Sequence, residues 1–285
     1  MPMPTITTLT LYPIKSCAGI ALQAATVTAA GLSHLHAHDR EWMVIDSDGQ
    51  FLSQRSHPAM ALIAPALQDG AMTVQAPGMP PLLVPTAPLD RAQAASLEVT
   101  VWDDHLSAHD CGDDAAAWFS RVLGQPCRLV RFDPAARRLA SKKWTLDADA
   151  PTRFADGYPM LLISQGSLDD LNRKLQAQGR TPLPMNRFRP NIVIDGVDAF
   201  EEDFLETLRA GPICLQPVKP CTRCPMPAID QASGEIGPDP MDILLTYRAN
   251  PRVEGAVTFG VNMIVREGNG AVLRIGQDIE GELAF

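Results

Sequence analysis

The sequence predicts a mainly β protein of the α+β class, with a barrel or sandwich architecture rather than alternating βαβ units. Short β-branched runs recur between turn residues along the whole chain, whereas only two segments carry a helical apolar stripe. No repeat period is visible, and strands are not regularly followed by helices as a parallel α/β fold would need.

Taken in order, the predicted strands are Thr5–Tyr12, Glu41–Asp46, Met72–Gln75, Leu97–Trp102, Cys127–Phe132, Pro159–Ser164, Asn191–Asp195 and Val257–Val265. Each is bounded by Gly, Pro or Asp, which interrupt a ladder or favour turns. "SDGQ" (Ser47–Gln50) predicts a hairpin, because Asp-Gly supplies the positive φ of a tight turn. "DDAAAWFSRVLG" predicts a helix opened by Asp113 and Asp114 and closed by Gly124. "SLDDLNRKLQAQG" predicts a second, with Ser167 and Asp170 as a capping box, a core stripe of Leu168, Leu171 and Leu175, and Gly179 at its end. The Pro-rich stretch Ala76–Pro88 reads as a surface connection. A division after the first helix gives domains 1–124 and 125–285.

Composition excludes several function classes. Of 285 residues, 46% are hydrophobic and 20% charged, which is ordinary for a globular chain. The net charge of −9 argues against a nucleic-acid surface, which needs clustered Lys and Arg against phosphates. No apolar run approaches a membrane span, and no basic segment followed by an apolar one marks a leader. Cysteines at 17, 111, 127, 214, 221 and 224 do not form a disulfide framework. These readings point to a cytoplasmic protein with no membrane association.

"KPCTRCPMPAID" (Lys219–Asp230) holds the chemistry-bearing pair Cys221 and Cys224. A structural zinc site needs four ligands, but there is no second CxxC and no histidine after His109. A thioredoxin-type pair needs a helix after the cysteines; Pro225 and Pro227 predict an extended loop instead. Inert burial is the usual fate of a free cysteine, yet Lys219 and Arg223 make this loop electropositive. Arg223 beside Cys224 favours a thiolate, a soft ligand for a transition metal.

Basic residues recur elsewhere: Lys15 and Ser16 in "YPIKS", Arg40 in "HDREW", Arg55 in "LSQRS", and Arg187 and Arg189 in "NRFRPN". Lysine with a hydroxyl, or an arginine fork, can hold a phosphate, although each taken singly is more often a solvated surface residue. "HLHAH" (His34, His36, His38) admits a metal reading if the alternate residues share one strand face. No P-loop, GxGxxG or nucleophile-elbow pattern is present.

"LYPIKSCAGI", "HDREWMVID", "FLSQR", "NRFRPNIVID", "KPCTRC", "LLTYR" and "FGVNMIV" together resemble the MOSC-domain proteins with an N-terminal β-barrel region. Within that group the chain is similar to the molybdenum-cofactor enzymes of the amidoxime-reducing type and their bacterial relatives linked to hydroxylaminopurine detoxification. The resemblance runs from about Leu11 to Gly276. It implies a MOSC β-barrel with a smaller N-terminal β-rich domain. It also implies that Cys224 ligates molybdenum, with Thr222 and Arg223 as neighbouring cofactor contacts. Lys15, Ser16, Arg40 and Arg189 are implied to grip the pyranopterin phosphate and its surroundings, and Tyr158 and Asn262 to line the pocket. Cys221 receives no metal role, and Asp230 is either an acid of the site or structural.

The implied activity is reduction of N-hydroxylated or N-oxygenated compounds, using a molybdenum pyranopterin dithiolene and electrons from a separate ferredoxin- or flavin-reductase-type protein. Where family members often carry hydroxyl residues after the metal cysteine, this chain has "CPMPAID", which alters the pocket rim. Two other readings remain open: a sulfur or molybdenum-cofactor carrier using the Cys224 thiolate, and a non-catalytic module binding a phosphorylated ligand.

Overall fold

The computed structural model describes residues 3–87 and 95–283. Its largest sheet has eight strands in the order Glu280–Leu283, Leu205–Ala210, Ile213–Thr222, Thr258–Glu267, Met160–Ser164, Ile192–Asp195, Thr5–Leu11 and Ile20–Leu22. All pairs are antiparallel except Met160–Ser164 with Ile192–Asp195. That parallel pair is joined by helix Gln165–Ala177, since parallel neighbours need a crossover. The sheet closes over a core of Leu9, Leu11, Leu32, Leu162, Ile192, Leu208, Leu215, Met263 and others, all buried.

A second sheet orders Ser96–Val101, Asp104–Asp110, Arg128–Phe132 and Trp42–Ile45. A third orders Val272–Arg274, Ala24–Thr28, Gly31–His34 and Ala37–His38, and a three-stranded one holds Ala64–Gln68, Ala71–Gln75 and Leu82–Pro85. The mainly β fold with few helices is as the sequence predicts. Pairing crosses residue 124 repeatedly: Thr5–Leu11 lies beside Ile192–Asp195, Ala24–Thr28 beside Val272–Arg274, and Trp42–Ile45 beside Arg128–Phe132.

Several local expectations change. The second helix begins earlier than predicted: Ser164 is its N-cap, accepting from Ser167 N–H at 3.1 Å, so Ser167 lies inside the helix. Its buried stripe of Leu168, Leu171 and Leu175 is as expected. The "SDGQ" turn forms, with Gly49 at φ 76°, but its return arm is a single bridge between Ile45 and Phe51 rather than a strand. The Pro-rich connection contains strand Leu82–Pro85, an edge position that tolerates proline; Pro88 lies outside the described residues.

Strand Ile213–Thr222 carries no sequence signal because Pro217 and Pro220 interrupt it. Its ladder with Thr258–Glu267 shifts register at both prolines, the bulges that let proline enter a central strand. "HLHAH" is a tight hairpin, not one strand face: Leu35 and His36 are left-handed (φ 46° and 64°), and His34 pairs opposite Ala37. Among the described residues no three His, Cys, Asp or Glu side chains converge to hold a metal, so the histidine-metal reading fails on geometry.

Candidate functional site

The first strand delivers "YPIKS" alongside "DREW". Arg40 N–H donates to Tyr12 O at 2.7 Å, Trp42 N–H to Pro13 O at 3.0 Å, and Lys15 N–H to Trp42 O at 2.8 Å. This clasp fixes two motifs that lie about a tenth of the chain apart. Ser16, Arg40 and Arg189 all sit in the left-handed region, at φ 65°, 48° and 56°. Non-glycine residues are held there at a cost of about 1–3 kcal/mol each, and such strain gathers at functional sites.

The Tyr12 ring is the spacer between two cations, with the Arg40 and Arg189 guanidiniums each 4.3 Å from its centroid. Arg40 is tied to Asp39 and donates to Asn191 Oδ1 at 3.0 Å. Asp39 also accepts from Tyr12 N–H and Asn191 Nδ2, both at 2.9 Å. Asn191 Nδ2 donates further to Thr10 O at 3.1 Å. Arg189 is different. It is 8% exposed, and its one side-chain hydrogen bond among the described residues goes to the neutral amide of Gln231 at 3.4 Å. Burial pulls its pKa down, which marks a cation in want of an anion.

Lys15, 4% exposed, donates to Phe154 O at 2.8 Å and to Asp156 Oδ1 at 2.6 Å. Desolvation alone would raise the Asp156 pKa, but the adjacent Lys15 charge and hydrogen bond hold the carboxyl well below the usual range. Asp156 also accepts from Trp102 Nε1 at 3.2 Å, and Arg55 stacks on the Trp102 ring at 4.4 Å.

Strand Ile213–Thr222 carries the third component to the same place. Arg223 donates to Phe259 O at 2.9 and 2.5 Å and to Phe188 O at 3.1 Å, which pins the loop to the stacked Phe188–Phe259 pair. Cys224 follows, half-buried and lining the cavity. The expected extended loop after it is instead a short 3₁₀ turn, Met226–Ala228, which accepts proline in its first positions. Cys221 packs beside the aromatic cluster, and burial pushes its thiol up. Asp230 accepts from the backbone N–H groups of Ala232 and Ser233 and pairs with Arg187 at 2.7 Å; these contacts hold it ionised and give it an anchoring place.

All nine expected residues meet in one cavity of about 510 Å³: Lys15, Ser16, Arg40, Tyr158, Arg189, Thr222, Arg223, Cys224 and Asn262. Asn262 Nδ2 donates to Lys219 O at 3.2 Å. The Tyr158 hydroxyl is buried without a hydrogen-bond partner among the described residues, and burial pushes its pKa up to about 12. Arg55, Arg187 and Lys219 add to the lining, against only Asp103 and Asp156. A strongly cationic cavity with an under-satisfied arginine, an orphaned phenol and the thiols of Cys221 and Cys224 fits a polar, anionic group with a soft centre near Cys224. A cofactor that brings its own sulfur ligands asks the protein for a single thiolate, so this donor set suffices.

Sequence reasoning missed Tyr12, Asp39, Asn191, Asp156 and Trp102. Asp39 and Asn191 flank arginines already singled out, so the signal was adjacent. Asp156 reaches Lys15 only through the fold.

A family model described as the MOSC N-terminal beta barrel domain matches residues 3–126, and one described as the MOSC domain matches residues 149–280. The chain belongs to the MOSC-domain family. Among similar MOSC proteins is mitochondrial amidoxime reducing component 2 of Bos taurus, 36% identical over 248 residues, 86% of this chain and 72% of that one. Mitochondrial amidoxime-reducing component 1 of Mus musculus is 35% identical over 248 residues, 86% and 71% of the two chains. Molybdenum cofactor sulfurase of Bos taurus is 34% identical over 273 residues, 91% of this chain but 30% of that protein. The expectation of a cytoplasmic protein is overturned here, because the amidoxime-reducing relatives are named as mitochondrial. Its physical basis was weak: free thiols fit any reducing compartment, and the absence, among the described residues, of a helix long and apolar enough to cross a membrane does not choose among them.

Proposed function

We propose that this MOSC protein is an oxidoreductase that reduces N-hydroxylated or N-oxygenated small molecules with a molybdenum pyranopterin cofactor and an external electron donor. The observation that carries the reading is the assembly, from four separate segments, of Lys15/Ser16, Arg40 and Arg189 with Thr222, Arg223 and Cys224 around one cationic cavity. The names of the amidoxime-reducing relatives support the substrate class.

When bound, the cofactor would supply the two-electron reduction of the N–O bond; the overall change converts N–OH to N–H and water, consuming two electrons and two protons. The chain's own residues do the rest. Arg189, Arg40 and Ser16 would hold the phosphate end, with Arg189 gaining the anion it lacks. Lys15, already bonded to Asp156, is part of the fixed cavity wall rather than a free donor. Cys224 would ligate molybdenum through its thiolate, and the carbonyl-anchored Arg223 keeps that loop in place. The 3₁₀ turn places Met226 and Pro227 in the cavity lining, an apolar stretch beside Cys224. Tyr158 and Asn262 offer a hydroxyl and an amide where substrate would enter.

Elemental mass spectrometry tests this on protein made in a molybdate-fed host that synthesises the cofactor. Near-stoichiometric molybdenum in wild type, lost in Cys224→Ala and kept in Cys221→Ala, is the expected result. Metal-free wild type from that host would sink it. The molybdenum cofactor sulfurase relative favours a second reading, a carrier in which Cys224 bears a persulfide. A stable Cys224 adduct of about 32 Da, one sulfur, under non-reducing conditions would support the carrier instead.

A further inference from the structure

The proposed reaction consumes electrons, and a surface beside the cavity has the character of a place to receive a donor. The Trp144 indole packs its inner side with Tyr158, Val218 and Ile264. Around it stand three cations: Arg252 at 5.6 Å from a ring centroid, Lys143 at 5.8 Å and Lys219 at 5.9 Å. None has a carboxylate within ion-pair distance among the described residues. The acids of the same segment are already engaged, Asp149 by Arg137 and Lys142 and Asp147 by Arg266. Lys219 and Tyr158 also line the cavity, so the patch is continuous with the cavity wall.

Two residues after Trp144, at the end of the short helix Lys142–Thr145, Leu146 is 74% exposed and held at φ 53°, a region that a leucine occupies only under constraint. An apolar tip on the segment that also carries Lys143, with cations that have no carboxylate partner among the described residues, is the pattern of a docking surface: the tip supplies desolvated contact and the charges steer an oppositely charged partner. The chain as a whole carries −9, so this local reversal of sign would select for acidic faces. A small anionic substrate does not account for it, since Lys143 and Arg252 lie outside the cavity lining.

We infer that the Trp144–Leu146 surface with Lys143, Lys219 and Arg252 is the docking site of an electron-donor protein whose redox centre is ringed by acidic residues. The inference rests on the reductase reading for its purpose, but its binding arm does not. A one-electron donor would dock there twice per turnover, delivering the two electrons that the N–O cleavage consumes.

The probe is an acidic plant-type [2Fe–2S] ferredoxin, with Lys143→Glu/Arg252→Glu and Leu146→Ser compared with wild type. Calorimetric binding of ferredoxin at about 20 mM salt should weaken at least about tenfold in the double variant, and wild-type binding should fade toward about 150 mM salt as the Debye length shortens. On molybdenum-loaded protein, ferredoxin-driven reduction of an N-hydroxylated amidine should lose kcat/KM in parallel. Reduced methyl viologen, a small donor that needs no docking face, should drive all variants at the wild-type rate. Wild type that does not bind the ferredoxin, or a double variant that binds as well as wild type, overturns the docking site. Binding of phosphatidylserine vesicles in place of ferredoxin would also overturn it, assigning the patch to a lipid surface. Salt-sensitive ferredoxin binding lost in the double variant, with no dye-driven turnover in wild type, would keep the docking site and reject the reductase reading.

Discussion

Asp39→Ala should destabilise the fold by about 3 kcal/mol or more, because it strands the Arg40 guanidinium and orphans the Tyr12 N–H and one Asn191 donor in the interior. Urea denaturation checks the size, and an effect under about 1 kcal/mol would show that Arg40 finds another partner. Arg189→Gly makes the opposite case. Glycine accepts φ 56° without strain, and the substitution removes a buried cation, so the melting temperature should not fall. The same variant should lose molybdenum content if Arg189 holds the cofactor's phosphate. A large drop in melting temperature would show instead that the stack on Tyr12 is structural. These two arginines also mark how far the sequence could be read at this scale. Singly, each reads as a solvated surface residue, and only the family resemblance implied an anion contact; whether each already has a partner was invisible, because Asp39 and Gln231 meet them only through side-chain geometry.

Within elements, the strands that sequence reveals are those whose β-branched runs are uninterrupted, such as Met160–Ser164 and Ile192–Asp195. Ile213–Thr222 stayed hidden because the bulges that accommodate its prolines are made by a partner strand some forty residues later. That partner has its own constraint. Gly260 lies at φ 76° within Thr258–Glu267, and a Cβ there would meet Leu162 O and Ile163 Cγ1, each at 2.6 Å. Gly260→Ala should therefore cost about 2 kcal/mol or more in urea denaturation, and a neutral result would mean that the strand shifts freely.

The His34–His38 hairpin makes a pH prediction. Burial, then the Arg153 charge, lowers the His38 pKa to about 4, against about 6.5 in the unfolded chain. Between those values the unfolded state binds more protons, so His38's contribution to stability is whole above pH 6.5 and declines as pH falls toward 4. Denaturation midpoints should drop across that window in wild type and drop less in His38→Gln. Equal slopes would assign the acid sensitivity to other groups.

For the whole molecule, strand pairing crosses residue 124 in three places. Residues 1–124 expressed alone should lack near-ultraviolet circular dichroism, because Thr5–Leu11, Ala24–Thr28 and Trp42–Ile45 each lose a partner strand. A cooperative unfolding transition in that fragment would show that its own core around Trp118 and Phe119 is enough. The overall fold class was legible because it depends on the number and kind of runs. The interlacing was not, because which strands neighbour one another is decided by long-range closure.

The position of Thr5–Leu11 between Ile20–Leu22 and Ile192–Asp195 has a further consequence, during synthesis. Once synthesised, this strand gains one neighbour almost at once but must wait for residue 195 to emerge before its other edge is covered. At about 5–20 residues per second, that edge stays open for on the order of ten seconds or longer. Through that interval Leu9 and Leu11, fully buried in the finished protein, belong to a nascent chain that a holding chaperone would recognise, and yield in the cell should respond to how fast the later half is translated.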